Sequence, residues 1–290
     1  MDASQNARQL SANLRRIAED AATGVGPMLR AAFRSDFRID EKKNHHDLVT
    51  EHDRASEEAI AAHLFAAEPD SRILGEEGGH RGSGRIEWIV DPIDGTSNFA
   101  HGVAFFCVSI AAALDGELLA GVVYDPVAEL VFAADLDGAY LNGEPLRPAG
   151  QSDEARASIM TDYPSAEALA LDGQLGLDSF AELVTTYATL RRKVSGALML
   201  AHVAAGWADV TMGLDTNPWD IAAGALIVRQ AGGTYLPFRY DDEDRPAQEA
   251  PCYVAFAPGS NATTAVRIVG DIVAARRASR AAPPALFDED

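Results

Sequence analysis

Two aspartates, Asp91 and Asp94, follow a short apolar run and stand directly before Gly95 and Thr96. The apolar run predicts a β-strand that delivers both carboxylates into a turn, which Pro92 would make rigid. Acids at this spacing can share hard divalent cations, whose preferred ligands are oxygens. Backbone amides at the start of a following helix can hold a phosphate group. The pattern therefore indicates metal-assisted chemistry on a phosphate ester.

Further acidic residues stand where predicted elements begin or end. Glu76 and Glu77 follow the short apolar run 72–75, so one of them could face a pocket. Asp220 is the third residue of a predicted helix whose start is marked by an asparagine followed by a proline. A solvated surface turn for the glutamates and a helix-dipole partner for Asp220 are the ordinary structural alternatives.

The residues near the predicted helix starts can likewise be interpreted as parts of a functional site or as ordinary helix caps. Asp94 could simply cap a helix that begins at Gly95, and Thr96 could be a helix cap, a phosphate contact or a polariser of water. Asp53 fits a capping box with Thr50, in which the acid accepts from a backbone amide. Paired acids beside a Gly-Thr helix start favour a functional site over caps alone.

The composition disfavours several classes of function. Among 290 residues there are 44 acidic and 24 basic side chains, and the net charge of −20 disfavours nucleic acid and anionic membranes as partners. No signal segment, long apolar span, zinc spacing, nucleophile elbow or P-loop is present. We therefore expect a cytoplasmic protein, without nucleic-acid or membrane partners, that needs bound cations to accept a phosphorylated substrate.

Periodicity predicts two helices followed by a mainly antiparallel sheet, and then alternating strands and helices. The first helix is expected over residues 4–33. The second begins near Thr50, and its expected inner face comprises Ala55, Ala59, His63 and Leu64. Later helices are expected at 176–188, 198–206, 218–230 and 261–277. Strands are expected at 72–75, 103–114, 118–124, 129–134, 158–162, 234–236 and 252–257.

The chain is expected to divide near residues 145–155. The halves 1–150 and 151–290 would pack tightly and form effectively one domain, since no linker composition separates them. Most candidate ligands lie in the first half, whereas Asp220 and the candidate substrate pocket lie in the second.

Four segments stand in a fixed order along the chain. They are Asp47-Leu48-Val49-Thr50-x-x-Asp53, Gly75-Glu76-Glu77, Asp91-Pro92-Ile93-Asp94-Gly95-Thr96-x-Asn98-Phe99 and Trp219-Asp220-Ile221-Ala222-Ala223-Gly224. Together they resemble the inositol monophosphatase family of magnesium-dependent, lithium-sensitive phosphatases, over most of the chain. The resemblance implies an α+β fold, a layered αβαβα sandwich of the type shared with fructose-1,6-bisphosphatases, and a homodimer.

The resemblance also implies residue roles. It places two or three Mg²⁺ ions, for which Mn²⁺ could substitute, on the side chains of Glu76, Asp91, Asp94 and Asp220 and the carbonyl of Ile93. Glu76 and Thr96 would position and activate water, with Asp53 hydrogen-bonded to Thr96. The implied substrate contacts are Ile93, Asp94, Gly95, Thr96, Ser195, Gly196 and Asp220. Lys42 matches a basic residue of a loop near the family's site.

Two departures from the family pattern concern the substrate. The family's glycine-small-small segment before its fourth helix is Val194-Ser195-Gly196 here. Inositol-type relatives place a glutamate seven residues before the Trp-Asp aspartate to bind sugar hydroxyls. Gly213 occupies that position, and Asp215 is a candidate replacement.

The sequence therefore predicts a Mg²⁺-dependent phosphomonoesterase that acts on a small phosphorylated polyol, with inositol 1-phosphate as the first candidate. Histidinol phosphate, fructose 1,6-bisphosphate and adenosine bisphosphates are alternatives, because relatives that act on them share the metal core. A regulatory, protein-binding role on the same fold is the alternative of another class. The complete ligand set argues against it, since a pure binding protein need not retain metal ligands.

Overall fold

The computed structural model describes residues 3–36, 39–41, 48–241 and 244–281, and Lys42 lies outside them. Within these ranges there are eight α-helices, α1 to α8 in chain order: Ala3–Ala32, Glu51–Ala67, Thr96–Ala100, Ala166–Asp172, Gln174–Thr186, Gly196–Ala204, Pro218–Gln230 and Thr263–Ala281. The strands β1 to β10 are Ile39–Glu41, Leu48–Thr50, Ser71–Gly75, Gly79–Gly82, Ile86–Asp94, Cys107–Leu114, Glu117–Asp125, Leu130–Asp135, Gly138–Leu141 and Glu144–Pro145. The strands β11 to β15 are Ser158–Thr161, Thr189–Arg192, Val210–Gly213, Thr234–Phe238 and Cys252–Phe256.

The strands form two large sheets and one small ribbon. The eight-stranded sheet has the order β10-β9-β8-β7-β6-β5-β3-β4, and the five-stranded sheet has the order β12-β11-β13-β15-β14. All pairs of the larger sheet are antiparallel except β3 with β5. In the smaller sheet β11 runs parallel to both β12 and β13. Strands β1 and β2 pair separately.

Three apolar cores define the layers. One core joins α1 and α2 to the outer face of the larger sheet. A second joins α6 and α7 to the inner faces of both sheets. The third joins α4, α5 and α8 to the outer face of the smaller sheet. The order of layers is αβαβα, which confirms the predicted fold class.

Helix α2 corrects one prediction about the helix faces. Ala55, Ala59 and His63 are exposed, and of the expected inner face only Leu64 is buried. The buried face consists of Asp53, Ser56, Glu57, Ile60, Ala61 and Leu64. The prediction was wrong because it assigned the inner face to nonpolar residues, whereas the first turns of this helix bury polar side chains.

Besides the helix α4, seven short strands escaped prediction, namely β1, β2, β4, β9, β10, β12 and β13. Each strand has at most four residues, so the alternation of side chains that identifies a strand is barely expressed. The other elements lie within a few residues of their expected positions. Nothing in the fold tests the predicted division near residue 150. In the described ranges, none of the helices combines the length and the apolarity that crossing a bilayer requires.

An aromatic cluster surrounds His202 on α6. Its ring lies 5.3 Å from that of Phe105 and 5.1 Å from that of Trp207, measured between centroids. Burial lowers the pKa of His202 to about 4, and the nearby positive charge of Lys193 acts in the same direction. The imidazole is therefore neutral in the folded protein at pH values where it is charged in the unfolded chain.

This shift predicts a loss of stability in mild acid. Because the folded pKa lies below the unfolded value, the contribution of His202 is complete above about pH 6.5 and is lost as the pH falls toward 4. When the pH falls from 7 to 5, the free energy of unfolding should decrease by about 2 kcal/mol more in the wild type than in the His202→Gln variant. Urea unfolding of both proteins at the two pH values measures this difference. Equal losses would show that His202 does not titrate in this way.

Candidate metal and phosphate site

The site forms where strand β5 ends. The β5–β6 ladder shifts register between Asp91 and Asp94, so both carboxylates leave the sheet on a short irregular segment. The amide of Ile93 donates to Asp91 Oδ1 at 3.0 Å, which fixes the turn. Asp220 approaches from the first turn of α7. One carboxylate oxygen from each of Asp91, Asp94 and Asp220 lies within 4.8 Å of the other two.

These three carboxyls are held in an environment that disfavours their charges. The pKa of Asp91 is raised well above its ordinary value, first by burial and then by the negative charge of Glu76. The pKa of Asp94 is raised by burial, although hydrogen bonds oppose the shift. The pKa of Asp220 is raised well above its ordinary value by burial and then by the charge of Asp94. Such mutual repulsion is relieved when a cation enters the group.

The donor set fits a hard divalent cation. All three converging side chains offer carboxylate oxygens, and two of them, Asp91 and Asp94, are almost completely buried. Three converging acids, two of them buried, would be costly without a counter-charge, whereas the same acids around Mg²⁺ or Mn²⁺ are a usual ligand set. Glu76 lies beside this group, close enough to share a hydrogen bond with Asp91.

Asp94 is anchored by the start of α6. Its Oδ2 accepts from the Ser195 hydroxyl at 2.6 Å and from the Ala197 amide at 2.8 Å, and its Oδ1 accepts from the Gly196 amide at 3.2 Å. The buried thiol of Cys107 also points to Asp94 Oδ2, at 3.5 Å. The structure thus places Ser195 and Gly196 as partners of a candidate ligand.

Thr96 and Asp53 are joined by a hydrogen bond, as the resemblance implied. The Thr96 hydroxyl lies 3.0 Å from Asp53 Oδ1 and 3.0 Å from the carbonyl oxygen of Ile93. The other oxygen of Asp53 accepts from the backbone amide and the hydroxyl of Thr50, so the acid also completes the capping box of α2. Burial raises the pKa of Asp53, and the hydrogen bonds from Thr50 and Thr96 oppose that shift.

Gly95 connects β5 to α3 in a conformation that requires glycine. Its φ is +94°, a region that L side chains rarely adopt. An added Cβ would also lie 3.1 Å from the carbonyl oxygens of Phe105 and Val194. The missing side chain therefore lets these two carbonyls pack closely against the Gly95–Thr96 turn beside Asp94.

The turn that carries Glu76 is supported by a glutamate that sequence reasoning missed. Glu57 is buried on α2, and its two oxygens accept from the amides of Glu77 at 2.9 Å and Gly78 at 2.8 Å. Gly75 leaves room for this carboxylate, since a Cβ there would lie 2.5 Å from Glu57 Oε2. The position of Glu57 one helical turn after Asp53 is the signal that could have identified it.

Asp220 has the capping role that the sequence left open. Its Oδ2 accepts from the Asn217 amide at 2.7 Å, which closes a capping box on α7. The same side chain is partly buried, and one of its oxygens lies within 4.8 Å of oxygens of Asp91 and Asp94. The capping position therefore also brings the Asp220 carboxylate to these two acids. The cap of α7 and the approach to Asp91 and Asp94 therefore involve the same side chain.

Contacts within the protein fill the space beside Gly213 and engage the carboxylate of Asp215. A Cβ at Gly213 would lie 2.5 Å from the ring of Tyr253, which fills the space where a side chain would begin. Asp215 is engaged elsewhere, since Arg276 Nη1 donates to it at 2.6 Å and the Tyr240 hydroxyl donates to it at 2.7 Å. Neither residue offers an unengaged carboxylate to a substrate.

Val194 is strained beside the site. Its φ of +52° lies in the left-handed region, which a β-branched residue adopts at a cost of roughly 1–2 kcal/mol. The Asn98 side-chain amide holds this segment by contacts to the carbonyls of Lys193 at 2.7 Å and Val194 at 3.1 Å. Asn98 therefore ties α3 to the start of α6, a role that its place in the motif did not reveal.

Val194→Gly is expected to stabilise the protein by up to about 1 kcal/mol. The released strain exceeds the roughly 0.5–1 kcal/mol of added chain entropy that glycine brings to the unfolded state. Chemical unfolding measures the difference. Val184→Gly, at an exposed position of α5, is the matched control and should lower stability by about 0.5 kcal/mol. A loss of stability in both variants would mean that Val194 is not strained.

Comparison with known proteins shows the family to which this chain belongs. The model of the inositol monophosphatase family matches residues 11–273, and the chain belongs to this family. It is 42% identical over 231 residues to "Nus factor SuhB" of Pseudomonas aeruginosa, covering 77% of this chain and 84% of that protein. It is 37% identical over 225 residues to "Inositol monophosphatase 3" of Solanum lycopersicum, covering 75% of this chain and 83% of that protein.

Solved structures show the same fold. The extragenic suppressor protein suhB from Bartonella henselae matches with a TM-score of 0.77 at 29% identity, covering 91% of this chain and 98% of that one. An IMPase from Thermotoga maritima matches with a TM-score of 0.71 at 29% identity, covering 89% of this chain and 94% of that one.

Proposed function

We propose that this protein is a Mg²⁺-dependent phosphomonoesterase. The observation that carries the proposal is the convergence of Asp91, Asp94 and Asp220 beside the helix start at Gly95–Thr96. This combination offers a cation site and a phosphate cradle at one point, which is what phosphate ester hydrolysis requires. Membership of the inositol monophosphatase family supports the same reaction class.

Each residue then has a defined task. Glu76, Asp91, Asp94, Asp220 and the carbonyl of Ile93 would hold two or three Mg²⁺ ions, or Mn²⁺ in their place. When bound, such ions neutralise the phosphoryl oxygens and lower the pKa of water. Glu76 and Thr96 hold and orient the attacking water, and Asp53 fixes the Thr96 hydroxyl. The amides of Gly95 and Thr96 hold the phosphate oxygens, and Ser195 and Gly196 support them by fixing Asp94.

The proposed substrate is a small phosphorylated polyol, and inositol 1-phosphate is the first candidate. Relatives named as inositol monophosphatases support this choice. Histidinol phosphate, fructose 1,6-bisphosphate and adenosine bisphosphates remain alternatives, because the acidic group does not discriminate between leaving groups. The proposal includes lithium inhibition, a cytoplasmic location and a homodimer, and it includes neither nucleic acid nor membrane as a partner.

Steady-state kinetics on a panel of phosphate esters test the proposal. The purified protein is assayed with inositol 1-phosphate, histidinol phosphate, fructose 1,6-bisphosphate, an adenosine bisphosphate and phenyl phosphate, with and without MgCl₂. We expect Mg²⁺-dependent phosphate release that LiCl inhibits, and the highest kcat/KM for inositol 1-phosphate. Absence of phosphate release from every ester would overturn the assignment as a phosphatase.

A second candidate function is a regulatory, protein-binding role on the same fold. The 42% identity to a protein named as a Nus factor favours it. A protein with this role alone would bind Mg²⁺ without hydrolysing any ester of the panel. Calorimetric titration with MgCl₂ beside the kinetic panel therefore separates the two functions.

A further inference from the structure

A cavity of about 760 Å³ lies next to the proposed phosphate cradle. Ser97 and Val194 line it at one end, directly after Thr96 and directly before Ser195. Its walls come from the segment after β11, from α4 and α5, and from Arg192. A smaller cavity of about 260 Å³ adjoins Leu214 and Asp215. Three residues line both cavities: Asp162, Ser165 and Glu167. A group attached to the phosphate would enter this space.

Asp162 is the more buried of the two acids that line both cavities. It follows directly after β11, whose last residue Thr161 pairs with Met212 of β13, so Asp162 lies level with Gly213. Its Oδ1 is buried and has no hydrogen-bond partner in the described part of the chain. Its carboxylate is close enough to Asp94 and Asp215 to interact with their charges. Asp162 thus lines both cavities and also lies near the cation site.

The surroundings leave Asp162 with unused acceptor capacity. Arg192 Nε donates to the backbone carbonyl of Asp162 at 2.8 Å, which fixes the backbone and leaves Oδ1 without a donor. A buried acceptor without a partner is costly, and a suitable donor removes that cost. Rotation about the Cβ–Cγ bond can turn either oxygen toward the cavity.

The other acids near this position are not equivalent. Asp215 is bound by Arg276 and Tyr240, and position 213 carries no side chain. Glu167 also lines both cavities, but it is exposed to solvent. Burial raises the pKa of Asp162 to about 6, so at an assay pH of 7.5 it is ionised and accepts hydrogen bonds without donating.

We propose that Asp162 determines specificity for the leaving group, by accepting a hydrogen bond from a hydroxyl or an ammonium group of the alcohol that is released. This inference rests on the proposed phosphatase function, because the cavity receives the leaving group only when phosphate occupies the cradle. Asp162 touches no reacting atom in this scheme. It selects substrates that carry a donor and does not take part in the cleavage.

The test compares Asp162→Ala and Asp162→Asn with the wild type on three esters. Inositol 1-phosphate offers hydroxyl donors, histidinol phosphate offers an ammonium group, and phenyl phosphate offers no donor on its leaving group. With Asp162→Ala we expect kcat/KM to fall about tenfold or more for the preferred donor-bearing ester, mainly through KM. For phenyl phosphate the change should stay below about twofold. Asp178→Asn, at an exposed site on α5, is the charge-matched control.

The isosteric variant distinguishes the two kinds of donor. Asp162→Asn keeps a carbonyl acceptor, so a hydroxyl substrate should lose less than an ammonium substrate, which also loses the charge. Equal losses on all three esters would overturn the proposal and assign Asp162 a structural role. Unchanged kinetics on all three would also overturn it. A wild type that hydrolyses none of the esters would instead refute the phosphatase function on which the inference rests.

Discussion

Asp220→Asn is expected to lower kcat for phosphate ester hydrolysis about a thousandfold or more, without loss of the fold. The substitution removes one of the three converging carboxylates, and a lost cation ligand costs several kcal/mol of transition-state stabilisation. Asparagine can still accept from the Asn217 amide, so the capping of α7 is preserved. Steady-state kinetics at saturating MgCl₂ measure the loss.

The stability of the metal-free variant provides the second readout. Burial and the charge of Asp94 disfavour ionised Asp220, so removing its charge should leave the Tm in EDTA equal to that of the wild type or higher. MgCl₂ at a hundredfold excess over Kd should stabilise the wild type by about 2.7 kcal/mol and so raise its Tm. The Tm of the variant should rise much less. Asp178→Asn is the control for loss of a remote carboxylate. An active variant, or one stabilised by Mg²⁺ as strongly as the wild type, would contradict the metal site.

Arg276→Met is expected to destabilise the protein by about 3–5 kcal/mol, the largest effect on stability of the changes considered. The guanidinium lies on α8 and donates to both oxygens of Asp172 at 2.7 and 2.8 Å, and also to Asp215 at 2.6 Å. The side chains of Arg276 and Asp172 are only 8% and 2% exposed. Removing one partner leaves a buried, uncompensated carboxylate, which is the costly case for an ion pair.

Urea unfolding measures this loss, and α8 offers a matched control. Arg267 also forms ion pairs, with Asp271 at 2.9 Å and with Glu182, but all three side chains are 44–54% exposed. Arg267→Met should therefore cost no more than about 1 kcal/mol. Adding Asp172→Asn to Arg276→Met should recover part of the stability, because it removes the stranded charge. Equal losses in the two arginine variants would show that burial does not strengthen the Arg276 pair.

The sequence predicted the centre of the site because that centre is local in the chain. Asp91 and Asp94 with Gly95 and Thr96 form one turn, and the short spacing brings the acids and the backbone amides together. The positions of the long helices were also predictable from apolar residues at helical spacing and from their caps, whereas the layered fold was implied by the resemblance described above. The prediction of Asp53 beside Thr96 came from the resemblance to a family.

The rest of the site depends on contacts between distant segments. The hydrogen bond from Ser195 to Asp94 spans 101 residues, and Asn98 reaches the carbonyl of Val194 across 96. Glu57 was missed because a buried glutamate has no apolar pattern, and the same cause put the inner face of α2 at the wrong residues. Asp162 was not selected because only the tertiary structure shows that its Oδ1 has no partner.

The candidate ligands come from distant parts of the chain, and this has a consequence for its integrity. Asp91 and Asp94 end a strand of the larger sheet, whereas Asp220 begins a helix that packs between the sheets. Neither half expressed alone can therefore carry the cation site, and a mixture of the separate fragments should regain Mg²⁺ affinity only as they reassemble. A bound cation would act as a cross-link that delays proteolytic separation of the two halves, and chelation would release it.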